Sequence, residues 1–167
     1  MEARSVLEIL ALLQDAGTVP RLEGGWGIDA LLGVQTRDHG DVDIVLTEVE
    51  SEVAQAALFR AGFRIIHDDR PGHVSFRDGL GREVDLDFFA TDRYGDGWNL
   101  NRTMGRGDPD YPKDCFTTGW IIGQQVDCLG PETQVRHHIG YEIEAVDIAD
   151  MAHLRERFEV SLPESLR

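Results

Sequence analysis

Apolar residues first recur at helical spacing: Val6, Ile9, Leu10 and Leu13 fall at i, i+3, i+4 and i+7, which predicts an amphipathic helix stopped at Gly17. Residues 19–23 are short and β-compatible, Gly24-Gly25 interrupts them, and 26–32 predicts a second helix closed by Gly33. The period then changes to two. From Asp41 to Leu46, Asp41 and Asp43 share one strand face while aliphatic residues take the other. A third helix is expected over 48–61, with Val49, Val53, Ala56, Ala57 and Arg60 at helical spacing and Gly62 as its stop. Strands follow over 63–67, 74–77 and 83–89, the last two joined by a hairpin turn at Asp78-Gly79-Leu80-Gly81. Residues 116–122 and 124–129 predict a final hairpin, and 131–138 and 146–158 predict terminal helices. Between them, 91–114 is rich in Gly, Asp, Pro and Asn and reads as a long functional loop.

The expected fold class is α/β (α+β): a mixed β-sheet flanked by helices, with a C-terminal helical segment. The 167 residues are expected to form one domain, with the sheet and its helices in 1–130 and C-terminal helices in 131–167. An apolar fraction of 41% and a charged fraction of 28% exclude a disordered or fibrous chain. Lys and Arg number 16 against 31 Asp and Glu, a net charge of −15, so nucleic acid is not an expected partner and neither is an anionic membrane. Apolar runs are far shorter than the roughly 20 residues that span a bilayer. The first 17 residues lack the basic start and continuous apolar centre of a secretory signal, so cytoplasmic residence is expected. Cys115 and Cys128 are expected to be reduced, half-buried thiols without chemistry.

Three features in order carry the chemistry: Gly24-Gly25 before a helix, Asp41-Val42-Asp43 in a strand, and Asp85-Leu86-Asp87 in a later strand. Carboxylates at i and i+2 leave one strand face about 6.6–6.8 Å apart and can converge on a hard cation. Two such pairs on neighbouring strands repel one another unless a cation neutralises them, which favours a metal site over a solvated face. A glycine turn leading into a helix N-terminus offers backbone N–H groups and a favourable dipole to an anion.

The stretch Gly24-Gly25-Trp26-Gly27-Ile28-Asp29, continued by Arg37-Asp38-His39-Gly40-Asp41-Val42-Asp43-Ile44 and later by Val84-Asp85-Leu86-Asp87, resembles the DNA polymerase β-like nucleotidyltransferases. Within them it is most similar to the lincosamide nucleotidyltransferases, a likeness extended by Pro131-Glu132-Thr133-Gln134, His138 to Tyr141, Asp147 and Leu154. The resemblance implies transfer of a nucleoside monophosphate from a nucleoside triphosphate to a hydroxyl of a small molecule such as a lincosamide or aminoglycoside, with pyrophosphate released and two Mg²⁺ as cofactors. It assigns Asp41, Asp43 and Asp85 to metal, Asp85 to the base with Asp87 as helper, and Gly24 and Gly25 to the triphosphate. It also implies a homodimer that shares the acceptor pocket.

Arg37 and His39 precede the metal strand. Arg37 either holds triphosphate oxygens or pairs with Asp29 or Asp38; His39 either orients an aspartate or bonds a loop carbonyl. Asp29 is expected to brace the loop by pairing with Arg37, and Trp26 to be core. His137 and His138, adjacent on a helix, face different directions and receive no role. The 91–114 loop offers Tyr94, Trp98 and Asn101 for stacking and hydrogen bonds to the acceptor, and Asp92, Asp96, Asp108 and Asp110 for a cationic one. The competing readings are a nucleotidyltransferase toxin acting on RNA or protein, and an inactive nucleotide-binding module.

Overall fold

The computed structural model describes residues 1–139 and 141–166. Helix α1 (Ala3–Asp15) buries Val6, Ile9, Leu10 and Leu13, the stripe its spacing predicts. Strand β1 (Arg21–Glu23) runs directly into α2 (Gly24–Leu32), so the two glycines form the first turn of the helix instead of preceding it. Then come β2 (Asp41–Thr47), α3 (Ser51–Arg60), β3 (Arg64–Asp69), β4 (His73–Arg77) and β5 (Glu83–Thr91). The chain continues through β6 (Gly97–Asn99), β7 (Phe116–Ile121), β8 (Gln124–Leu129), α4 (Pro131–His137) and α5 (Ala145–Phe158).

The sheet has the order β3-β4-β5-β2-β1-β8-β7, with β6 paired to the end of β5. It is mixed, as expected: β2 runs parallel to β5 and β1 parallel to β8, while the other pairs are antiparallel. The main core joins α1, α2 and α3 to Val42, Ile44, Leu46, Val84, Leu86 and other strand residues. A second cluster around Ile28, Met151 and Leu154 fastens α5 onto α2. A third, on Val45, Phe89, Tyr111 and Leu129, covers part of the sheet face that carries the aspartates. Among the described residues no helix is long and apolar enough to cross a membrane.

Three further expectations change. The stripe through Val49 and Val53 is not the buried side of α3: Val49 is 87% exposed, and Ala54, Ala57 and Leu58 face the core. A 3-10 turn at Glu48–Glu50 precedes the helix, closed by a capping box in which the Thr47 amide donates to Glu50 Oε2 at 2.8 Å. That turn puts Val49 out of phase with the helix that follows. The 91–114 segment is also no open loop. Its β6 pairs with β5, and it buries Trp98 and Tyr111. Cys115 and Cys128 are unpaired and buried instead of half-buried, and burial pushes their thiols up to about 11 and about 12, which keeps both protonated at neutral pH.

Candidate active site

Strand register assembles the acidic face. Glu23 on β1 stands opposite Asp43 on β2, Asp43 beside Asp85 on β5, and Asp85 opposite Ser75 on β4. One step along the strands, Asp87 lies between Val45 and His73. Asp41 precedes Asp43 on the same face by the two-residue period of β2. Four neighbouring strands thus place the predicted aspartates together and add Glu23, His73 and Ser75, which no local motif announces.

The crowding shows in the electrostatics. Burial, followed by the charges of Glu23, Asp41, Asp85 and Asp87, holds the Asp43 carboxyl well above the usual carboxylate range. Asp85 is also raised, chiefly by burial and by Asp41, against a lowering hydrogen bond from Ser75. A divalent cation would relieve both, since it favours the ionised oxygens that their neighbours oppose. Among the described residues no three His, Cys, Asp or Glu side chains enclose a metal by themselves. Carboxylate oxygens are donors for hard cations, whose remaining positions water and substrate oxygens can fill.

Beside these aspartates opens a cleft of about 320 Å³. Asp41 and Asp43 line it from the sheet, Gly24, Gly25, Arg37 and His39 from α2 and the loop after it, and His137, His138 and Tyr141 from the C-terminal segment. Asp85 and Asp87 lie beyond it, across Asp43. Neither glycine has room for a side chain. A Cβ on Gly24 would stand 2.1 Å from Asp43 Oδ2, and one on Gly25 2.4 Å from His39 Nδ1.

His39 Nε2 lies 2.5 Å from Asp29 Oδ2, and its ring packs 4.8 Å from that of Trp26. Asp29 Oδ1 accepts from the Thr36 amide and hydroxyl at 3.0 and 2.6 Å. Asp29 therefore braces the loop as expected, but through His39 and Thr36 instead of Arg37. The guanidinium is held elsewhere: Nε and Nη2 donate to Asp150 on α5 at 3.1 and 2.9 Å, and Nη1 donates to the Asp38 carbonyl at 3.2 Å. Each terminal nitrogen keeps one further N–H, and Arg37 lines the cleft. Trp26 is core, 2% exposed.

On the far side of the aspartates, Asp87 is tied down. His73 Nδ1 lies 3.2 Å from Asp87 Oδ2, Asn99 Nδ2 donates to Oδ1 at 3.3 Å, and His73 Nε2 reaches Ser75 Oγ at 3.1 Å. Glu23 Oε2 meets His137 Nδ1 at 3.0 Å, and His137 Nε2 meets the Asp110 carbonyl at 2.9 Å. A carbonyl only accepts, so Nε2 carries a proton and the Glu23–Nδ1 contact needs another, held by either partner. Burial raises Glu23; for His137 burial lowers the value, and the bonds and charges of Glu23 and Asp110 together outweigh it.

The acceptor groups expected in the 91–114 segment are mostly spent within the protein. Trp98 is buried and donates from Nε1 to Asp92 Oδ2 at 3.1 Å, so it offers no stacking face. Asn101 binds the Gly72 amide and Asp69. Asp92 also accepts the Tyr94 and Asp96 amides, Asp96 the Lys113 amide, and Asp110 the Asn99 amide while pairing with Arg102. A polar segment on a sheet satisfies its own backbone this way, which composition does not reveal. Tyr94 and Asp108 remain exposed.

Comparison with known proteins identifies the family. The model of the aminoglycoside-2''-adenylyltransferase family matches residues 5–154. A lincosamide resistance protein of Staphylococcus haemolyticus is 25% identical over 153 residues, covering 91% of this chain and 93% of its own. The lincomycin-bound structure of the lincosamide antibiotic adenylyltransferase LnuA superposes with a TM-score of 0.79 at 23% identity, over 93% of this chain and 97% of that one. ANT(2'')-Ia in complex with adenylyl-2''-tobramycin gives 0.69 at 18% identity, over 92% and 87%. The chain belongs to the aminoglycoside-2''-adenylyltransferase family, and it is a nucleotidyltransferase of the antibiotic-modifying type.

Proposed function

We propose that this enzyme transfers a nucleoside monophosphate from a nucleoside triphosphate to a hydroxyl of a lincosamide or aminoglycoside, with Mg²⁺ as its metal. The observation that carries the reading is the placement of Asp43 beside Asp85 on parallel strands, next to a cleft bounded by Gly24 and Gly25. Asp41, Asp43 and Asp85 would hold two ions. When bound, such ions polarise the α-phosphate and offset the charge of the departing pyrophosphate.

The protein's own groups do the rest. The triphosphate lies in the cleft along Gly24 and Gly25, facing the first turn of α2 and the remaining N–H groups of Arg37. His39 shapes that wall, locked by Asp29 and Trp26. Asp85, aimed by Ser75, takes the proton of the acceptor hydroxyl; the oxygen then bonds to the α-phosphorus, whose bond to the pyrophosphate oxygen breaks. Asp87 is the weaker candidate for base because His73 and Asn99 already engage it. Glu23 and Asp87 add negative charge beside Asp85, suited to an acceptor bearing an amine. A homodimer belongs to the same reading on family likeness alone, as does residence in the cytoplasm.

The test pairs lincomycin, tobramycin and tRNA with each labelled triphosphate, with and without Mg²⁺. Metal-dependent pyrophosphate release with labelling of a small antibiotic is expected. Efficient labelling of tRNA and of no antibiotic would overturn the acceptor class.

A further inference from the structure

The strands give the cleft its acids, but the C-terminal segment gives it none: from that side it is lined by His137, His138 and Tyr141. His137 is spent between Glu23 and the Asp110 carbonyl. His138 and Tyr141 are each fixed by one hydrogen bond that leaves a different group unspent.

His138 caps the C-terminal end of α4, where the last carbonyls have no partner within the helix. Its Nδ1 lies 2.8 Å from one of them, that of Gln134. A carbonyl only accepts, so Nδ1 carries a proton, and in the neutral ring Nε2 is a bare lone pair. Among the described residues no side chain or backbone group bonds to Nε2, although His138 is only 8% exposed. The one unspent polar atom of this ring thus serves what occupies the cleft that the residue lines.

Tyr141 is fixed in the opposite sense. Its hydroxyl donates to Asp147 Oδ1 at 3.0 Å, while Asp147 Oδ2 accepts the Glu144 amide at 2.8 Å in the capping box of α5. The polar end is spent and the ring is left 49% exposed. The His138 ring is tilted 57° to it with centroids 6.4 Å apart, so the two do not stack. An exposed aromatic face anchored by its hydroxyl is a platform for a flat heterocycle.

We propose that this side of the cleft holds the nucleoside of the triphosphate: Tyr141 stacks on the base, and His138 Nε2 accepts a hydrogen bond from the nucleoside, given by an exocyclic amine or a ribose hydroxyl. The inference rests on the placement of the triphosphate along Gly24 and Gly25, which line the same cleft. The uncharged nucleoside then lies away from the carboxylates, which remain for metal and acceptor. His138 also sets specificity, because a neutral ring with its proton on Nδ1 cannot donate to a nucleoside that presents only an acceptor there.

The test is calorimetric binding of Mg²⁺-ATP and of Mg²⁺-tripolyphosphate, without acceptor, at about pH 8, where an ordinary histidine is neutral. Tyr141→Ala should raise the Kd of ATP about tenfold or more, as for a lost stacking platform, and leave that of tripolyphosphate unchanged. His138→Phe, which keeps a ring without the lone pair, should raise the Kd of ATP about five- to tenfold. Among 2'-deoxy-ATP, 3'-deoxy-ATP and purine riboside triphosphate, the one lacking the donor should bind the wild type more weakly than ATP and the His138→Phe variant equally well. In the wild type the ¹⁵N resonance of His138 Nε2 should move with ATP and stay with tripolyphosphate, a readout that needs no variant. A protein that binds neither ligand would overturn the placement of the triphosphate and this inference with it. Tripolyphosphate bound as tightly as ATP, or an ATP Kd indifferent to both substitutions with an unmoved Nε2 resonance, would overturn this inference alone.

Discussion

Gly24 lies against Asp43 so closely that a single methyl group at Gly24 would collide with the carboxylate, 2.1 Å from Oδ2. The backbone there has φ of +60°, a region costly to other residues. Gly24→Ala should therefore turn Asp43 out of the metal position and weaken Mg²⁺ binding in the presence of triphosphate by about tenfold or more, at a stability cost of about 1–3 kcal/mol. Calorimetric titration reads the first and urea unfolding the second. Wild-type metal affinity in the variant would remove Asp43 from the ligand set.

Asp85 and Asp87 share a strand face and a neighbour, but His73 lies 3.2 Å from Asp87 and no nearer than 3.9 Å to Asp85. Asp85→Asn should fold and lose turnover by about 10²-fold or more, since a positioned base contributes 10² to 10⁴. Asp87→Asn should be milder, and His73→Asn should match it, because His73 is the group that holds Asp87. A larger fall in kcat for Asp87→Asn than for Asp85→Asn would reverse the assignment of the base.

What was legible in advance followed short-range rules. Two-residue alternation placed Asp41 with Asp43 and Asp85 with Asp87, and glycine punctuation found the ends of α1, α2 and α3. What escaped depended on pairing between distant segments. Glu23, Ser75 and His73 enter the site only because β1, β2, β5 and β4 are neighbours in one register, which no window of sequence contains. Arg37 meets Asp150 across 113 positions, beyond any local search for its partner. Trp98 reads as a loop aromatic because its polar neighbours dominate the composition, yet β6 pairs with β5 and buries it, together with Tyr111 bridged to Gly97. The phase of α3 was misread for a smaller reason, a single 3-10 turn at its start.

The Arg37–Asp150 pair ties the loop after α2 to α5, and Asp150 is 2% exposed. Asp150→Ala removes the acceptor of hydrogen bonds from two Arg37 nitrogens, which should cost about 1–3 kcal/mol, toward the lower end because the guanidinium still reaches solvent. The freed guanidinium also loses its fixed place beside Gly25, so KM for the triphosphate should rise several-fold while kcat changes less. Thermal melting and steady-state kinetics check the two effects. An unchanged KM would confine Arg37 to a purely structural role.

Glu23 and His137 hold one proton between them, and this gives stability a pH dependence of definite sign. The folded histidine titrates above its ordinary 6.5, because the bonds and charges of Glu23 and Asp110 together outweigh burial. The pair's contribution is therefore complete below the pKa of the unfolded histidine and is lost as pH rises through the higher folded value. Above it, Nε2 still donates to the Asp110 carbonyl, so the bare lone pair of Nδ1 is left facing the Glu23 carboxylate, two acceptors with no proton between them. Glu23→Gln replaces that repulsion with an amide N–H donor that suits neutral imidazole. The melting temperature of the wild type should fall relative to Glu23→Gln as pH rises from 6 toward 9, and the His137 ring should titrate lower in the variant by ¹⁵N NMR. Parallel melting curves across that range, with an unmoved histidine titration, would show that Glu23 does not hold the proton on His137.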